Sequence, residues 1–379
     1  MKFDTLALHS GVEIDSETGA SSVPIYQAST FHQQEWGRPP VYDYSRSGNP
    51  TRHAVEHLIA ELEGAKHGFA FASGIAAVTG VLLTLSAGDH VIAGMDIYGG
   101  TFRALTRVFA RLGISTTFVN ATDINEIKSA LKNNTKMMLL ETPSNPTLQI
   151  TDLKSAVNFA KQHGIITVVD NTFMSPFLQH PHRLGVDIVV HSGTKFLGGH
   201  SDVVAGLVTV QNDELASEIY LIQNGFGAIL SPHDSWLLMR GMKTLPIRMR
   251  QCQASAIELA KLLESHERVK QVYYPGLLNH PLHQVHAAQA DGPGAVLSFE
   301  VESEKAVQTL VEHLRYPLFA VSLGAVETIL SYPAHMSHAS MPEQERLARG
   351  ITNGLLRLSV GLESMEDLLN DFDQALSHV

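Results

Sequence analysis

A polar cluster at the end of an apolar segment contains the residue best suited to covalent chemistry. The segment Val186–Lys195 reads VDIVVHSGTK, a buried-strand pattern followed directly by two hydroxyls, a glycine and a lysine. Desolvating an ammonium group is costly, so a lysine just past a buried strand needs a reason. One such reason is a lysine of lowered pKa that forms a Schiff base with an aldehyde. The alternative is a lysine that lies on the surface after the strand.

Three further polar residues follow predicted strands in the same way: Tyr98, Asn145 and Asp170. In an open parallel sheet, ligands bind beyond the carboxyl ends of the strands. The shared placement of these residues and Lys195 therefore predicts one site at that edge of the sheet. This prediction depends on no single motif.

The elements that must position these residues alternate along the chain. From Arg52 onward the pattern predicts helices over Ala54–Glu63, Phe102–Leu112 and Asp152–His163, with another opened by Ser73. Strands are predicted between and after them, at Phe69–Ala72, His90–Ala93, Ser115–Val119, Lys136–Glu141, Ile165–Val169, Val186–Val190 and Gly206–Val210. This order indicates a mostly parallel sheet with helices on both faces.

The order of elements changes near residue 234. A long helix, Pro246–His266, is predicted to lead into a smaller α+β region. Its predicted elements are Val272–Tyr274, Ala295–Val301, Glu304–Leu314, Leu355–Val360 and Met365–Leu376. We therefore predict an α/β fold with a large domain over residues 46–233, an α+β domain over 234–379, and an N-terminal arm over 1–45 that contacts a neighbouring subunit.

Composition excludes several classes of protein. The 379 residues are 44% hydrophobic, and 27 Lys and Arg against 38 Asp and Glu give a net charge of −11, so a nucleic-acid surface is not expected. The single cysteine, Cys252, fits a reducing compartment. No signal peptide and no membrane span are evident, and the predicted location is the cytoplasm.

Two further motifs do not predict a site. His280, His283 and His286 have helical spacing, but they lack the further ligands of a zinc site, so no metal is predicted. Ser192 and Lys195 fit the S-x-x-K pattern of penicillin-recognising enzymes, but the S-D-N and K-T-G partners of that pattern are missing.

An aldehyde cofactor such as pyridoxal 5′-phosphate (PLP) would need several partners. An acid must face its ring nitrogen, which Asp170 could do, and an aromatic ring such as Tyr98 could stack on it. Its phosphate needs a helix N-terminus and hydroxyls. The sequence offers these groups in the backbone of Gly74 and Ile75 and in the side chains of Ser192 and Thr194.

Motifs along nearly the whole chain resemble those of one family. They are SVPIYQAST, YDYSRSGNPTR, FASGIAAV, DIYGGTFR, ETPSNPT, VVDNTF, HSGTKFLGGHSDVVAG, SLGAVET and RLSVGLE. They resemble the Cys/Met-metabolism PLP enzymes, the trans-sulfuration family. The resemblance implies the fold-type-I architecture of PLP-dependent transferases and a homotetramer of two catalytic dimers that share active sites across subunits.

The resemblance also implies roles for single residues around the cofactor. Lys195 would be the Schiff-base lysine and Asp170 the partner of the ring nitrogen, with Tyr98 stacked on the ring. Tyr44 and Arg46 would reach the phosphate of the neighbouring subunit, which explains the arm. The phosphate of the chain's own cofactor would be held by Gly74, Ile75, Ser192 and Thr194.

Substrate roles follow from the same comparison of positions. Arg357 would bind the substrate α-carboxylate, with support from Asn145 and Ser322. Asp43 and Arg103 match positions that face the distal end of cystathionine. Val321 stands where γ-cleaving members usually have glutamate, and a hydrophobic residue there is more typical of β-lyases and methionine γ-lyases.

The implied activity is that of a cystathionine γ-lyase, acting on a small sulfur amino acid. Lys195 would remove the α-proton and Tyr98 would assist at the sulfur, giving cysteine, 2-oxobutyrate and ammonia. A β-lyase, a homocysteine or methionine γ-lyase and a cystathionine γ-synthase are alternatives within the family. A non-enzymatic amino-acid sensor is the alternative outside it, although a sensor needs no residue for carbanion chemistry.

Overall fold

Two β-sheets organise the chain in the computed structural model, which describes residues 1–11, 15, 18–339 and 341–379. Within those ranges the larger sheet has seven strands in the order β1-β7-β6-β5-β4-β2-β3. Their bounds are β1 His67–Phe71, β2 His90–Gly94, β3 Ser115–Val119, β4 Thr135–Glu141, β5 Ile166–Asp170, β6 Ile188–Ser192 and β7 Gly206–Val210. Strand β7 runs antiparallel to β1 and β6, and the other pairs are parallel. The predicted mostly parallel sheet is confirmed.

Helices cover both faces of this sheet, so its central strands are apolar along nearly their whole length. Val168 and Val190 pack in one core and Val169 and Val189 in another. The helices and the three short 3₁₀ or π segments described in this part of the chain are α1 Phe3–His9, α2 Pro50–Glu63, α3 Gly74–Leu82, α4 Gly99–Arg103, Ala104–Val108, Phe109–Leu112, α5 Ile124–Ser129, α6 Leu153–Gln162, α7 Ser175–Leu178, Pro181–Leu184 and α8 Asp213–Phe226.

The predicted helix over residues 102–112 is not one regular helix. It begins earlier, as α4, continues as a π-helical turn over Ala104–Val108, and ends as a 3₁₀ turn before Gly113. Glycines have low helix propensity, and the predicted helix starts after Gly99 and Gly100. Here a Cβ on Gly99 would lie 2.9 Å from the carbonyl oxygen of Ser337, and one on Gly100 would lie 2.3 Å from the Tyr98 ring. Close packing therefore outweighs helix propensity.

Helix α1 lies within the predicted arm and was not expected. Phe3 packs edge-on against Phe177 with 5.4 Å between ring centroids, and Asp4 forms an ion pair with Arg250 on the long helix of the second region. Residues 3–9 are therefore held by their own chain. Between residues 20 and 45 the described backbone is irregular and mostly exposed, and its predicted contact with a neighbouring subunit stays a prediction.

The second sheet has five strands within the described ranges, in the order β10-β11-β12-β9-β8. Its strands are β8 Val269–Tyr273, β9 Val296–Val301, β10 Leu318–Phe319, β11 Ile329–Ser331 and β12 Leu355–Ser359. The helices from residue 232 onward are α9 Pro232–Met242, α10 Leu245–Ser265, α11 His283–Gln289, α12 Glu304–His313, α13 Glu343–Ala348 and α14 Met365–Leu376. This confirms the predicted smaller α+β region, and α14 has the predicted bounds.

Helix α10 contributes to two further hydrophobic cores. Its first half contributes Leu245, Met249 and Cys252 to the core that also contains α2 and α9, whereas Leu259 and Leu263 pack beneath the second sheet. One continuous helix thus fixes the second sheet against the first. In the described part of the chain, no helix is both long enough and apolar enough to cross a lipid bilayer.

Candidate active site

A cavity of about 620 Å³ lies where the carboxyl ends of the larger sheet face the second sheet. Residues predicted from the sequence line it from both sides: Gly74, Ile75, Tyr98, Arg103, Asn145, Asp170, Ser192, Thr194, Lys195, Val321, Ser322 and Arg357. The folded chain therefore brings together side chains that are spread over most of its length. Cavities of this size and mixed chemistry are typical of small-molecule sites.

Lys195 is half-buried in this cavity and its amine has a polar partner. The Nζ donates a hydrogen bond to the Ser322 Oγ at 2.6 Å. Burial, and then the positive charge of Arg357, lower the pKa of Lys195 from 10.5 to about 8. A larger fraction of the amine is therefore unprotonated at neutral pH than in a surface lysine, as a nucleophile or base requires.

Ser322 has a backbone conformation that side chains rarely adopt, with φ of 94°. Residues other than glycine occupy this region only where the surroundings hold them, and such residues cluster at functional sites. Arg357 stabilises this conformation of Ser322, since its Nη2 donates a hydrogen bond to the Ser322 carbonyl oxygen at 2.6 Å. The strained backbone directs the Ser322 hydroxyl toward Lys195.

Asp170 and Glu141 stand side by side at the ends of β5 and β4, where they are paired in register. Burial raises the pKa of Asp170, and hydrogen bonds from Thr172, including its N–H at 3.0 Å, oppose that shift. Burial and then the charge of Asp170 raise the pKa of Glu141 well above its usual value. Two adjacent carboxyls in such a site resist ionising together.

Glu141 also lines the cavity, and the sequence interpretation did not include it. Its Oε2 accepts a hydrogen bond from the backbone N–H of Tyr98 at 2.8 Å. It lies inside the motif ETPSNPT, one strand away from Asp170 and at the same level of the sheet. Glu141 could have been predicted from the sequence, because it is an acid at the carboxyl end of a predicted parallel strand.

Arg357 on β12 connects the second sheet to the first. Its Nη1 donates to Asn145 Oδ1 at 2.8 Å, and its Nη2 donates to Ser331 Oγ at 3.2 Å as well as to Ser322. Burial lowers the pKa of Arg357 to about 10, and the charge of Glu141 opposes this. Among the described residues, its Nε is buried with no hydrogen-bond partner. A donor left unpaired in this way suits an incoming carboxylate.

The start of α3 forms one wall of the cavity. Ser73 caps the helix, since its hydroxyl accepts from the N–H of Ala76 at 3.1 Å. The next residue, Gly74, packs closely on Ser192, because a Cβ at Gly74 would lie 2.8 Å from the Ser192 Cβ. The backbone at Gly74 and Ile75 thus borders the cavity at the positive end of the helix dipole. This wall suits an anion such as a phosphate.

Three predicted residues do not line the cavity of their own chain: Asp43, Tyr44 and Arg46. The Nη1 of Arg46 donates to the carbonyl oxygen and the Oδ1 of Asn224 at 2.7 and 3.0 Å. Its guanidinium lies 5.6 Å from the centroid of the Tyr44 ring, which is 47% exposed. Their assignment to the site of a neighbouring subunit stays a prediction.

The three histidines with helical spacing have other partners. Ring nitrogens of His280, His283 and His286 lie 3.1, 2.8 and 2.9 Å from the carbonyl oxygens of Leu148, Pro275 and Gly292. These contacts fix the backbone around α11. No cluster of three or more His, Cys, Asp or Glu side chains suited to a metal ion occurs in the described ranges.

The residues of the cavity fit the phosphorylated aldehyde that the sequence resemblance implies. The half-buried amine of Lys195, whose pKa is lowered, suits the aldehyde carbon, and the Asp170 carboxyl lines the same cavity. The wall at Gly74 has no room for a side chain, as expected where a ligand approaches the backbone. The unpaired Arg357 Nε provides a separate donor for a substrate acid.

Comparisons with known proteins agree with this geometry. A model of the Cys/Met metabolism PLP-dependent enzyme family matches residues 4–377. The cystathionine beta-lyase MetC of Bacillus subtilis (strain 168) is 56% identical over 376 residues, 99% of this chain and 96% of that protein. The cystathionine gamma-lyase of the same strain is 49% identical over 379 residues, 100% of each. The crystal structure of cystathionine gamma-lyase from Lactobacillus plantarum complexed with L-serine has a TM-score of 0.97 and 46% identity, and the match covers 100% of this chain and 99% of that one. The chain belongs to the Cys/Met metabolism PLP-dependent enzymes, and PLP is its cofactor.

Proposed function

We propose that the chain is a PLP-dependent carbon–sulfur lyase that cleaves L-cystathionine. The observation that carries the proposal is the position of Lys195 and Arg357 in one cavity. Lys195 provides a half-buried amine that can move a proton, and Arg357 provides an unpaired donor for a carboxylate. An amino acid with an acidic α-proton needs both groups.

Several residues would hold the cofactor. Lys195 would bond its aldehyde carbon, Asp170 would face the ring nitrogen and Tyr98 would cover the ring. Its phosphate would lie at the start of α3, between the backbone of Gly74 and Ile75 and the hydroxyls of Ser192 and Thr194. When bound, PLP supplies a ring system that takes up the electron pair of a carbanion.

Side chains of the protein bind the substrate and transfer its protons. Arg357 binds and orients the substrate α-carboxylate, with Asn145 as the partner that holds its guanidinium. The Nζ of Lys195 takes the α-proton, and the Ser322 hydroxyl keeps that amine directed into the cavity. The phenol of Tyr98 gives a proton to the departing sulfur, so that the product leaves as a neutral thiol.

A finer part of the proposal is which of the two carbon–sulfur bonds of cystathionine is cleaved. The sequence favours γ cleavage, but we place β cleavage first, because Val321 forms part of the cavity wall. Cleavage of the γ bond requires a second proton to move at Cβ, and a valine cannot carry it. Two relatives named cystathionine beta-lyase, which are 56% and 52% identical to this chain, support β cleavage as the first candidate. Cleavage at the γ bond is the second candidate, supported by the full-length match to a gamma-lyase.

A keto-acid assay tests the proposal. The purified protein with PLP is incubated with L-cystathionine, and pyruvate and 2-oxobutyrate are separated and measured. Pyruvate with homocysteine indicates β cleavage, and 2-oxobutyrate with cysteine indicates γ cleavage. The Lys195→Ala variant, which should form neither, provides the blank.

Other substrates distinguish the remaining alternatives. L-methionine and L-homocysteine, assayed in parallel, test for a methionine or homocysteine γ-lyase. An activated homoserine ester supplied with cysteine tests for a synthase. Turnover confined to one of these substrates, with none of L-cystathionine, would overturn the proposed function.

We also propose that the chain acts in the cytoplasm as a homotetramer whose active sites are shared between subunits. The exposed segment over residues 20–45 supports sharing, as do Tyr44 and Arg46, which lie away from the cavity of their own chain. The free, buried thiol of Cys252 fits a reducing compartment. Mixing inactive Lys195→Ala subunits with inactive Arg46→Ala subunits should restore part of the activity, because some hybrid sites have both residues. If each active site were formed by a single chain, the mixture would stay inactive, and the proposed sharing would be refuted.

A further inference from the structure

A buried arginine that the proposed function does not use lies beside the turn that carries Lys195. Arg248, near the start of α10, is 4% exposed. Its guanidinium donates to three backbone carbonyl oxygens and one hydroxyl, and none of these acceptors carries a charge. Removing a cation from water in this way is costly, so its placement needs a reason.

The acceptors of this guanidinium belong to two separate segments. The Nη1 of Arg248 donates to the carbonyl oxygen of Phe196 at 2.7 Å. Its Nη2 donates to the carbonyl oxygen of Gly241 at 2.8 Å, with a longer contact of 3.5 Å to that of Leu197. Its Nε donates to the Oγ1 of Thr244 at 3.0 Å. The guanidinium thus joins the two residues that follow the reactive lysine to the end of α9.

The turn over residues 193–199 is not part of a regular helix, so its carbonyl groups need other donors. The carbonyl oxygen of Lys195 accepts from the N–H of Gly199 at 2.8 Å. Gly199 has φ of 76°, the left-handed conformation that commonly ends a helical segment. The last carbonyls of such a segment have no partner within it, and a buried unpaired carbonyl is costly. Arg248 supplies donors for them.

This turn is in close contact with its neighbours. A Cβ on Gly199 would lie 2.3 Å from the Nη1 of Arg248, and a Cβ on Gly324 would lie 2.9 Å from the carbonyl carbon of Lys195. Gly324 follows Ser322 by two residues, so the segment that binds the lysine amine also contacts the lysine backbone. A shift of the turn would therefore change the 2.6 Å contact between Nζ and the Ser322 hydroxyl.

Apolar packing also holds the turn but does not orient it. The side chains of Phe196 and Leu197 are each 2% exposed and belong to a hydrophobic core. Apolar burial is non-directional, whereas a hydrogen bond fixes the direction of its carbonyl group. Burial lowers the pKa of Arg248 to about 10, which leaves the guanidinium charged at neutral pH. Hydrogen bonds from a charged donor are the stronger kind.

We propose that Arg248 is a positioning residue for Lys195. It orients the peptide groups that follow the lysine, so that the amine is directed at the aldehyde carbon of the cofactor. Arg248 itself does not line the cavity. The inference deepens the proposed function, since it rests on the role proposed there for Lys195.

The test measures how fast Lys195 captures PLP in the absence of substrate. Full-length apo-protein is mixed with PLP, samples are reduced with borohydride at successive times, and peptide mass spectrometry quantifies the adduct on Lys195. Arg248→Met should form this adduct about tenfold more slowly, because a displaced amine seldom reaches the aldehyde. Arg248→Lys should also be slow, since an ammonium keeps the charge but cannot contact all the acceptors of a planar guanidinium.

Arg346→Met is the matched control. Arg346 is also buried and bonds the Ile351 carbonyl oxygen and the Asn353 side chain, away from this turn. Its rate of adduct formation should stay within about twofold of the wild type, a change of under half a kcal/mol. Thermal unfolding of each variant sets an assay temperature at which all of them are folded. A role in stability alone would lower the unfolding temperature of Arg248→Met and leave its rate unchanged.

Steady-state kinetics provide a second measurement. In Arg248→Lys the kcat for L-cystathionine should fall while KM stays close to that of the wild type. The reason is that the amine that moves the proton is displaced, whereas Arg357, which binds the carboxylate, keeps its partners Asn145 and Ser322. A higher KM with an unchanged kcat would contradict the proposed role.

A milder variant keeps the proposal testable if Arg248→Met does not fold. Thr244→Val removes one of the four acceptors and should slow adduct formation roughly threefold. Wild-type rates in Thr244→Val and Arg248→Lys would overturn the inference, even for a protein that cleaves cystathionine. The predicted slow capture in a protein that cleaves another amino acid would support the inference and refute the proposed substrate.

Discussion

The Nζ of Lys195 lies 2.6 Å from the hydroxyl of Ser322, a residue 127 positions later in the sequence. Lys195 follows the last parallel strand of the larger sheet, and Ser322 lies between β10 and β11 of the second sheet. The reactive amine is therefore positioned only when both sheets have folded and packed. The following predictions test parts of this shared site.

The pH dependence of PLP uptake should report the pKa of Lys195. A free amine is needed to attack an aldehyde, so the rate of uptake by apo-protein should rise as the pH rises through about 8. In Arg357→Met the second cause of the lowered pKa is lost, so the midpoint should move to higher pH. Stopped-flow absorbance at a series of pH values measures both effects.

The control for this pH profile is Arg346→Met. Arg346 is buried but bonds Ile351 and Asn353, away from the cavity. Its midpoint should equal that of the wild type. A wild-type midpoint near 10.5 would show that burial does not act on the amine as described.

Arg357→Lys should mainly impair substrate binding. Lysine retains the charge but loses the planar set of donors that contact Asn145, Ser322 and an incoming carboxylate. A loss of about 2 kcal/mol corresponds to roughly a 30-fold higher KM for L-cystathionine, with a smaller change in kcat. Steady-state kinetics measure this, with Arg346→Lys as the matched substitution. An unchanged KM would show that Arg357 does not bind the substrate carboxylate.

Val321→Glu should shift the products toward γ cleavage. A carboxylate in this wall supplies a second base for the proton at Cβ, which γ cleavage needs and β cleavage does not. We expect the ratio of 2-oxobutyrate to pyruvate to rise by about tenfold, equivalent to 1.4 kcal/mol between the two transition states. Val204→Glu places the same charge on another wall of the cavity and should leave the ratio unchanged. Equal shifts in both variants would indicate a nonspecific effect of charge.

Gly74→Ala should weaken PLP binding while the fold is retained. The added Cβ would lie 2.8 Å from the Ser192 Cβ and 2.9 Å from its Oγ, so the phosphate wall must shift. Overpacking of this kind costs about 1–3 kcal/mol, which corresponds to a rise of roughly 5-fold to 150-fold in the dissociation constant of PLP. Gly225→Ala in α8 is the control, since a Cβ there meets nothing within 4 Å. Wild-type PLP affinity in Gly74→Ala would show that the phosphate does not bind at this wall.

Local patterns in the sequence predicted much of this site. Apolar runs marked the strands, and Tyr98, Asn145, Asp170 and Lys195 could be assigned to one edge of a sheet because parallel strands end together. The same local patterning predicted the bounds of α14. By contrast, α1 escaped prediction, because its short segment is stabilised by packing on distant parts of the chain.

The sequence by itself determined the order of the elements, the kinds of chemically active side chains and the strand ends that carry them. These properties depend on neighbouring residues, whose spacing is read directly from the chain. Only the tertiary structure decided which side chains meet: Arg357 with Asn145, 212 residues apart, and His191 with Glu63, 128 residues apart. Packing of two sheets and one helix sets those distances and the burial that shifts the pKa values, and no local pattern encodes either.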